Sequence, residues 1–232
     1  MRTIVTIGLI VFVAAASVIA AGILILVYWG WPLLVVFLEI GFVSFIAYVV
    51  LVRPWASRWG ATDEEIARAM PGDEIIAPAN STTRAISIDA TVAEIWPWIK
   101  QIGYGRAGWY SYDWIDNDNR PSADRIMPEF QHLDAGDAIV MVPGMGPVVR
   151  DVADEHYFVA GDERSGTWCV SLEPIDGART RLVSRWRQDW KITPASAFWI
   201  LVSDPGAFIM ERKMLRGIKA RAERLHSQHV TA

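Results

Sequence analysis

Across 232 residues the chain has one cysteine, Cys169, which excludes an internal disulfide framework and any site built on several thiolates. Its setting in an apolar strand pattern points to a buried, inert thiol rather than a nucleophile. Histidine is scarce as well, with four scattered copies, so no zinc site is evident. A phosphate loop is missing: Gly103-Tyr104-Gly105 is followed by Gly108 but does not sit between a strand and a helix start. Asp116-Asn117-Asp118-Asn119 fails as a calcium loop, because Pro121 stands where the turn needs Gly and Met127 where the ion needs Glu. Neither a metal nor a cofactor is expected. With a formal net charge of −4 and no stripe of basic residues, the chain offers nucleic acid no footprint. No internal repeat or low-complexity tract is present.

Charge is also nearly absent from the amino-terminal stretch, where Arg2 is the only charged residue before Glu39. Ile4 to Val27 and Leu33 to Val52 are almost wholly apolar, and about 20 such residues, rising about 1.5 Å each, span a bilayer core. Between them, Tyr28-Trp29-Gly30-Trp31-Pro32 supplies helix breakers and rings suited to the headgroup layer. The pattern predicts a transmembrane hairpin over residues 1–53, with spans at about 4–27 and 33–52. A cleaved signal peptide is the competing reading, but the apolar run continues well past its alanines. Arg2, Arg53 and Arg58 flank the spans while the connecting loop carries no basic residue, so both termini and the soluble part are expected in the cytoplasm of a multi-pass membrane protein. Glu39, inside the second span, is either a functional group paired with Ser17 or Tyr28, or a carboxyl relieved by protonation or snorkelling.

Residues 54–82 read as a juxtamembrane spacer. Trp55 and Trp59 beside Arg58 suit an interfacial collar, and Thr62-Asp63-Glu64-Glu65 is a capping box for a short helix that Pro71-Gly72 ends. Residues 83–228 form the folded domain. A strand is predicted over Thr83–Ile88, and a second capping box, Thr91 to Glu94, opens a helix containing Pro97. Tyr104 to Asp134 reads as short helices with loops. Five strand patterns follow, Asp137–Val142, Pro147–Val152, His156–Ala160, Thr167–Glu173 and Arg179–Trp190, separated by turn chemistry. A long amphipathic helix over about Asp204–Gln228 closes the chain, with Met210, Met214, Ile218 and Leu225 as its apolar stripe. The order implies an α+β architecture: an antiparallel sheet wrapped round a terminal helix, with the gap between them as the place for a ligand.

Several strings resemble the START-like, or SRPBCC, helix-grip superfamily, within its polyketide cyclase/dehydrase and lipid-transport group. They are Ile95-Trp96-Pro97-Trp98-Ile99-Lys100-Gln101-Ile102-Gly103, Gly108-Trp109-Tyr110-Ser111-Tyr112-Asp113-Trp114, Ser122-Ala123-Asp124-Arg125-Ile126 with Pro128-Glu129, Gln131-His132-Leu133, Thr180-Arg181-Leu182-Val183-Ser184-Arg185 and Met210-Glu211-Arg212-Lys213-Met214-Leu215. The resemblance covers roughly Thr83 to Leu225 and implies a helix-grip fold with a hydrophobic cavity, not a reaction. The added hairpin is similar to a membrane-anchored bacterial subgroup.

Two chemistries remain open for the same cavity. Trp109, Tyr110, Tyr112, Trp114, Arg125, Glu129, Trp168 and Arg185 are the candidate ligand contacts for a hydrophobic small molecule or lipid held beside the bilayer. Alternatively, a cyclase or dehydratase would use Asp113 or His132 as acid/base and Arg185 to stabilise negative charge. Each residue also has a plainer role: Asp113 as a fold-fixing acceptor, for Arg125 for example, His132 as a solvated side chain, Arg185 as an outward-facing guanidinium, and the tryptophans as core. A third reading is a structural or interaction protein whose interior is filled by its own indoles.

Overall fold

The computed structural model describes residues 2–76, 80–189 and 194–231. Two apolar helices come first, α1 (Arg2–Trp29) and α2 (Trp31–Ala47). Gly30 alone separates them, in a left-handed conformation (φ 78°), while Pro32 sits in the first turn of α2, where its missing N–H costs nothing. The expected five-residue connection is therefore a one-residue turn. A single π-helical turn, Tyr48–Val52, leads into α3 (Arg53–Ser57). Leu9–Trp29 and Trp31–Ser57 are each long and apolar enough to cross a membrane, with mean hydropathy 2.9 and 2.6.

Helix α4 (Asp63–Ala67) begins as its capping box requires, the Glu65 amide donating to Thr62 Oγ1 (3.1 Å) and the Thr62 amide to Glu65 Oε2 (2.8 Å). Then follow β1 (Asn80–Ile88), α5 (Val92–Lys100), the short α6 (Asp113–Asp116) and a 3-10 turn at Pro128–Phe130. Four strands come next, β2 (Val149–Ala153), β3 (Tyr157–Asp162), β4 (Gly166–Pro174) and β5 (Thr180–Gln188), and α7 (Pro194–Thr231) ends the chain. Among the described residues, the five strands make one antiparallel sheet in the order β1-β5-β4-β3-β2.

Two expectations are corrected. The strand predicted over Asp137–Val142 is only a pair of isolated bridges, Ala138 with Val148 and Val142 with Met145. Pro143 and Pro147 lack the N–H a ladder needs, and Gly146 packs so close to the Ile139 carbonyl that a Cβ would lie 2.0 Å from it. The last helix starts at Pro194, ten residues before the expected Asp204, because Pro205 lies inside it without ending it. Trp190, the expected end of the last strand, lies outside the described residues.

Alternation along the strands sorts side chains onto two covered faces. Ile88, Leu182, Trp168, Val170, Leu172, Phe158 and Ala160 pack against Ile95, Trp96 and Ile99 of α5 and Met214, Leu215, Ile218 and Ala222 of α7. On the opposite face, Ala85, Val183, Cys169 and Val159 pack against Met70, Ala61 and Ile75. Residues 59–76, read as a spacer, thus form the second cover of the sheet. Gly60 permits it, since a Cβ there would lie 2.1 Å from the Ala85 carbonyl, and the Ala85 amide donates to the Trp59 carbonyl (3.1 Å). Burial pushes the Cys169 thiol on this face up to about 12, which keeps it unreactive.

Helix α7 runs along β1. Glu211 pairs with Arg84, Lys219 donates to the Ser87 carbonyl (2.7 Å), and Glu223 accepts from the Asp89 amide (2.9 Å). Further toward its amino-terminal end Asp204, ten residues into the helix, accepts from Arg53 Nε (2.9 Å) and the Tyr48 hydroxyl (3.1 Å). At its far end His226 and His229 reach the two oxygens of Glu94 (2.9 and 3.0 Å). The Arg84–Glu211 pair is almost fully buried, with side chains 4% and 9% exposed. Removing one partner of such a pair strands a charge in the interior. Glu211→Ala is therefore expected to lower unfolding stability by roughly 3–5 kcal/mol, whereas Arg84→Met combined with Glu211→Leu restores most of it. Thermal unfolding of the three proteins in detergent measures this, and a cost below about 1 kcal/mol for Glu211→Ala contradicts it.

Candidate functional site

The β4–β5 register sets Trp168 directly opposite Trp186 on the face that α7 covers. The two indoles stack with centroids 4.9 Å apart and planes 6° from parallel. Trp109 lies 6.1 Å from Trp168, and Phe158 meets it edge-on at 5.0 Å. Trp168 is buried, while Trp186 is partly exposed at the open end of the row. Because α7 follows β1 from Arg84 toward Asp89, Trp186 and its partner Thr82 lie on the side nearer the apolar hairpin.

A chain of hydrogen bonds fixes this row. Trp168 Nε1 donates to Ser184 Oγ (2.9 Å), which donates to Glu211 Oε1 (2.7 Å). Glu211 Oε2 accepts from Arg84 Nη1, and Arg84 Nε donates to the Ala56 carbonyl (2.9 Å). Trp109 Nε1, by contrast, is buried with no acceptor among the described residues, a costly condition for an indole donor.

The residues singled out from sequence are dispersed. Trp109 and Trp168 belong to the row, and Tyr110 packs close by. Tyr110 holds a left-handed backbone (φ 55°) against α7 at Gly217, where a Cβ would lie 2.3 Å from its carbonyl. Its hydroxyl donates to the Trp98 carbonyl (3.1 Å) and accepts from Gln101 (2.9 Å), and burial raises its phenol strongly. Tyr112 is half-buried just before α6, and Trp114 is exposed on α6. Arg125, Glu129 and His132 are all exposed.

Asp113 is occupied by Ser122, accepting from its hydroxyl (2.5 Å) and its amide (3.0 Å), and not by Arg125. Arg185, expected to offer a guanidinium to a ligand if its face turned inward, is on the face away from α7 and 2% exposed. Its donors go to Thr83 Oγ1 (3.0 Å), Asp73 Oδ2 (2.6 Å) and the carbonyls of Glu65, Ile66 and Arg68 (2.5, 3.2 and 2.9 Å). Asp113 and Arg185 are thus committed to separate structural networks, and Asp113, His132 and Arg185 do not converge on one reacting centre.

The gap expected between sheet and α7 is filled, over the described residues, by Trp96, Trp168, Phe158 and their aliphatic neighbours. Two shallow concavities lie elsewhere. One, of about 370 Å³, lies along the end of α2 and the π-helical turn after it, from Phe42 to Leu51, and the other, of about 210 Å³, lies between Arg68–Pro71 and His156, Tyr157 and Ser171 to Glu173. Among the described residues no three His, Cys, Asp or Glu side chains gather as metal ligands.

Sequence reasoning passed over Arg84, Ser184, Glu211 and Asp116. Arg84 left one signal, a charge sharing a strand face with Ile86 and Ile88. Asp116 is 3% exposed and among the described residues neither carboxylate oxygen has a formed hydrogen bond; Ser111 and the local amides favour its charge only from poorer geometry. Burial, aided by the nearby Asp113 charge, raises it to about 7.

No family model matches this chain, and no curated protein does. Similar solved structures include a KanY protein (12% identical, covering 62% of this chain and 98% of that one, TM-score 0.41). A protein from Arthrobacter aurescens is 13% identical, with coverage of 64% and 92% and a TM-score of 0.39. A Polyketide_cyc-like protein from Corynebacterium glutamicum is 14% identical, with coverage of 66% and 95% and a TM-score of 0.31. Likeness at this level carries no argument about ligand or reaction.

Asp116 has a pH signature. Its proton is held to about pH 7 when folded, against a reference value of 3.8, so the folded state binds more protons between those limits. Stability on this account falls as pH rises from about 4 through 7 and is lowest above it. Asp116→Asn is expected to abolish that part of the pH dependence, leaving the variant relatively more stable at pH 8 than at pH 4. Chemical denaturation of both proteins across this range checks it; parallel curves contradict it.

Proposed function

We propose that this chain is a membrane-anchored helix-grip module that holds a hydrophobic small molecule, lipid- or polyketide-like, against the Trp109–Trp168–Trp186 row. The carrying observation is the row itself. An aromatic surface, two stacked indoles with a third tilted against them, ends at a partly exposed Trp186 and includes a buried indole donor, Trp109 Nε1, that nothing in the described protein satisfies. Such a surface suits a flat or acyl ligand with one acceptor. Entry is at Trp186, on the side facing the hairpin, so a ligand partitioning from lipid travels a short path.

Anchoring is supported by two helices of spanning length and by the attachment of both hairpin ends to the domain. Thr3 of α1 bonds to Asp118, and Arg53 beyond α2 bonds to Asp204. With basic residues at those ends and none in the turn, the domain and both termini are assigned to the cytoplasm.

A second reading, a membrane-bound interaction scaffold, draws on the filled interior between sheet and α7. Cyclase or dehydratase chemistry has no comparable support, since the residues it needs lie apart.

Native mass spectrometry of the full chain, released from detergent, separates the two readings. Binding predicts an apolar adduct that is reduced several-fold in Trp186→Ala, a substitution at a partly exposed position. A bare mass from folded protein favours the scaffold, and an adduct unchanged by Trp186→Ala is annular lipid and contradicts the site.

A further inference from the structure

The hairpin and the domain meet twice, and helix geometry sets the depth of both meetings. At the first, Thr3 Oγ1 donates to Asp118 Oδ1 (2.6 Å) and accepts from the Asp118 amide (2.9 Å), while the Tyr104 hydroxyl donates to Asp118 Oδ2 (2.7 Å). These side-chain bonds hold the Asp118 carboxyl well below the usual range. Asp118 thereby caps the first turn of α1 from 115 residues away. At the second, Trp55 of α3 meets Phe208 of α7 edge-on at 5.3 Å beside the Arg53–Asp204 pair.

At about 1.5 Å per residue, Thr3 lies about 39 Å from Trp29, and Trp55 about 36 Å from Trp31. A bilayer's hydrocarbon core is about 30 Å thick, and about 40–45 Å with its headgroups. With the Trp29–Trp31 turn in one headgroup layer, both junctions fall within the other. At that level the domain exposes Trp114 (53%), Trp55 (55%) and Ile209 (51%), and Arg120, exposed, lies over the Tyr104 ring at 4.9 Å. Most acidic groups there are engaged, Asp118 by Thr3 and Tyr104, Asp204 by Arg53 and Tyr48, Asp63 by Arg58 and Asp113 by Ser122, and Asp116 of α6 is buried away from the surface.

We propose that α6, α3 and the Phe208–Ile209 turn of α7 form a bilayer-contact face that lies in the cytoplasmic headgroup layer, seating the domain on the membrane at two points instead of leaving it to swing from one tether. This rests on the anchoring reading and is independent of whether a ligand binds. Indoles suit this layer, and Arg120 suits anionic lipid.

Site-directed spin labelling tests the proposal in the full chain with Cys169→Ala. Labels are placed singly by Trp114→Cys, Trp55→Cys, Val18→Cys in α1 and Ile175→Cys. Ile175 is an exposed apolar residue beyond β4, at the end of the sheet remote from the hairpin. In phosphatidylcholine vesicles containing phosphatidylglycerol, collision with a water-soluble nickel chelate should be several-fold lower at 114 and 55 than at 175, and lowest at 18. Chelate access at 114 equal to that at 175, with 18 protected, overturns the seated face while the anchor stands. Free access at 18 overturns the anchor and the face with it.

Discussion

Four parts of this protein converge on the buried Arg84–Glu211 pair. Arg84 comes from the first strand, Glu211 from the closing helix, the Ala56 carbonyl from the segment leaving the apolar hairpin, and Ser184 links Glu211 to Trp168 of the aromatic row. Desolvating two charges is expensive, and the pair persists because each has further partners. What it specifies is registry. A slip of α7 by one turn would leave a guanidinium and a carboxylate unpaired in an apolar interior, a penalty that purely aliphatic packing would not impose.

The opposite face of the sheet follows the same logic with a different residue. Arg185 is surrounded by carbonyls of residues 65–68 and by Asp73, while Arg181 pairs with Glu65 and Arg187 with Asp73. Three arginines on one face of β5, Arg181, Arg185 and Arg187, therefore fasten residues 59–76 across the strands. This cover continues from the second apolar helix, so the sheet is held between a layer continuous with the hairpin and α7, which is itself tied to the same hairpin through Asp204. Motion of the domain relative to the two helices would have to break polar contacts on both sides.

Local signals in the sequence were reliable guides. The Thr62–Glu65 capping box opens a helix where the spacing demands one, and at Thr91 the Glu94 carboxylate accepts from the Thr91 amide (2.9 Å) as α5 begins. Alternating residues and turn chemistry located β2, β3, β4 and β5 to within about two residues, the usual uncertainty at element ends, while β1 begins three residues before the expected Thr83. What remained illegible depends on distant partners. The direction of Arg185 is decided by carbonyls 117 to 120 positions earlier, and strand periodicity states only that Arg185 and Trp186 face opposite ways. Asp118 as a cap for Thr3 leaves no local trace. Asp137–Val142 has strand composition, but prolines and a close glycine in the following turn deny it a continuous ladder. The gap inferred from fold type was filled because large side chains, Trp168 and Phe158 among them, point into it.

Hydrogen exchange in lipid nanodiscs, comparing the native chain with Glu211→Ala, tests the central coupling most directly. If the buried pair unites hairpin exit, sheet and helix, the variant loses protection together in α7 around residue 211, in β1 around Ala85 and in the 56–61 segment. Loss confined to α7, with β1 and residues 56–61 protected as before, would contradict it.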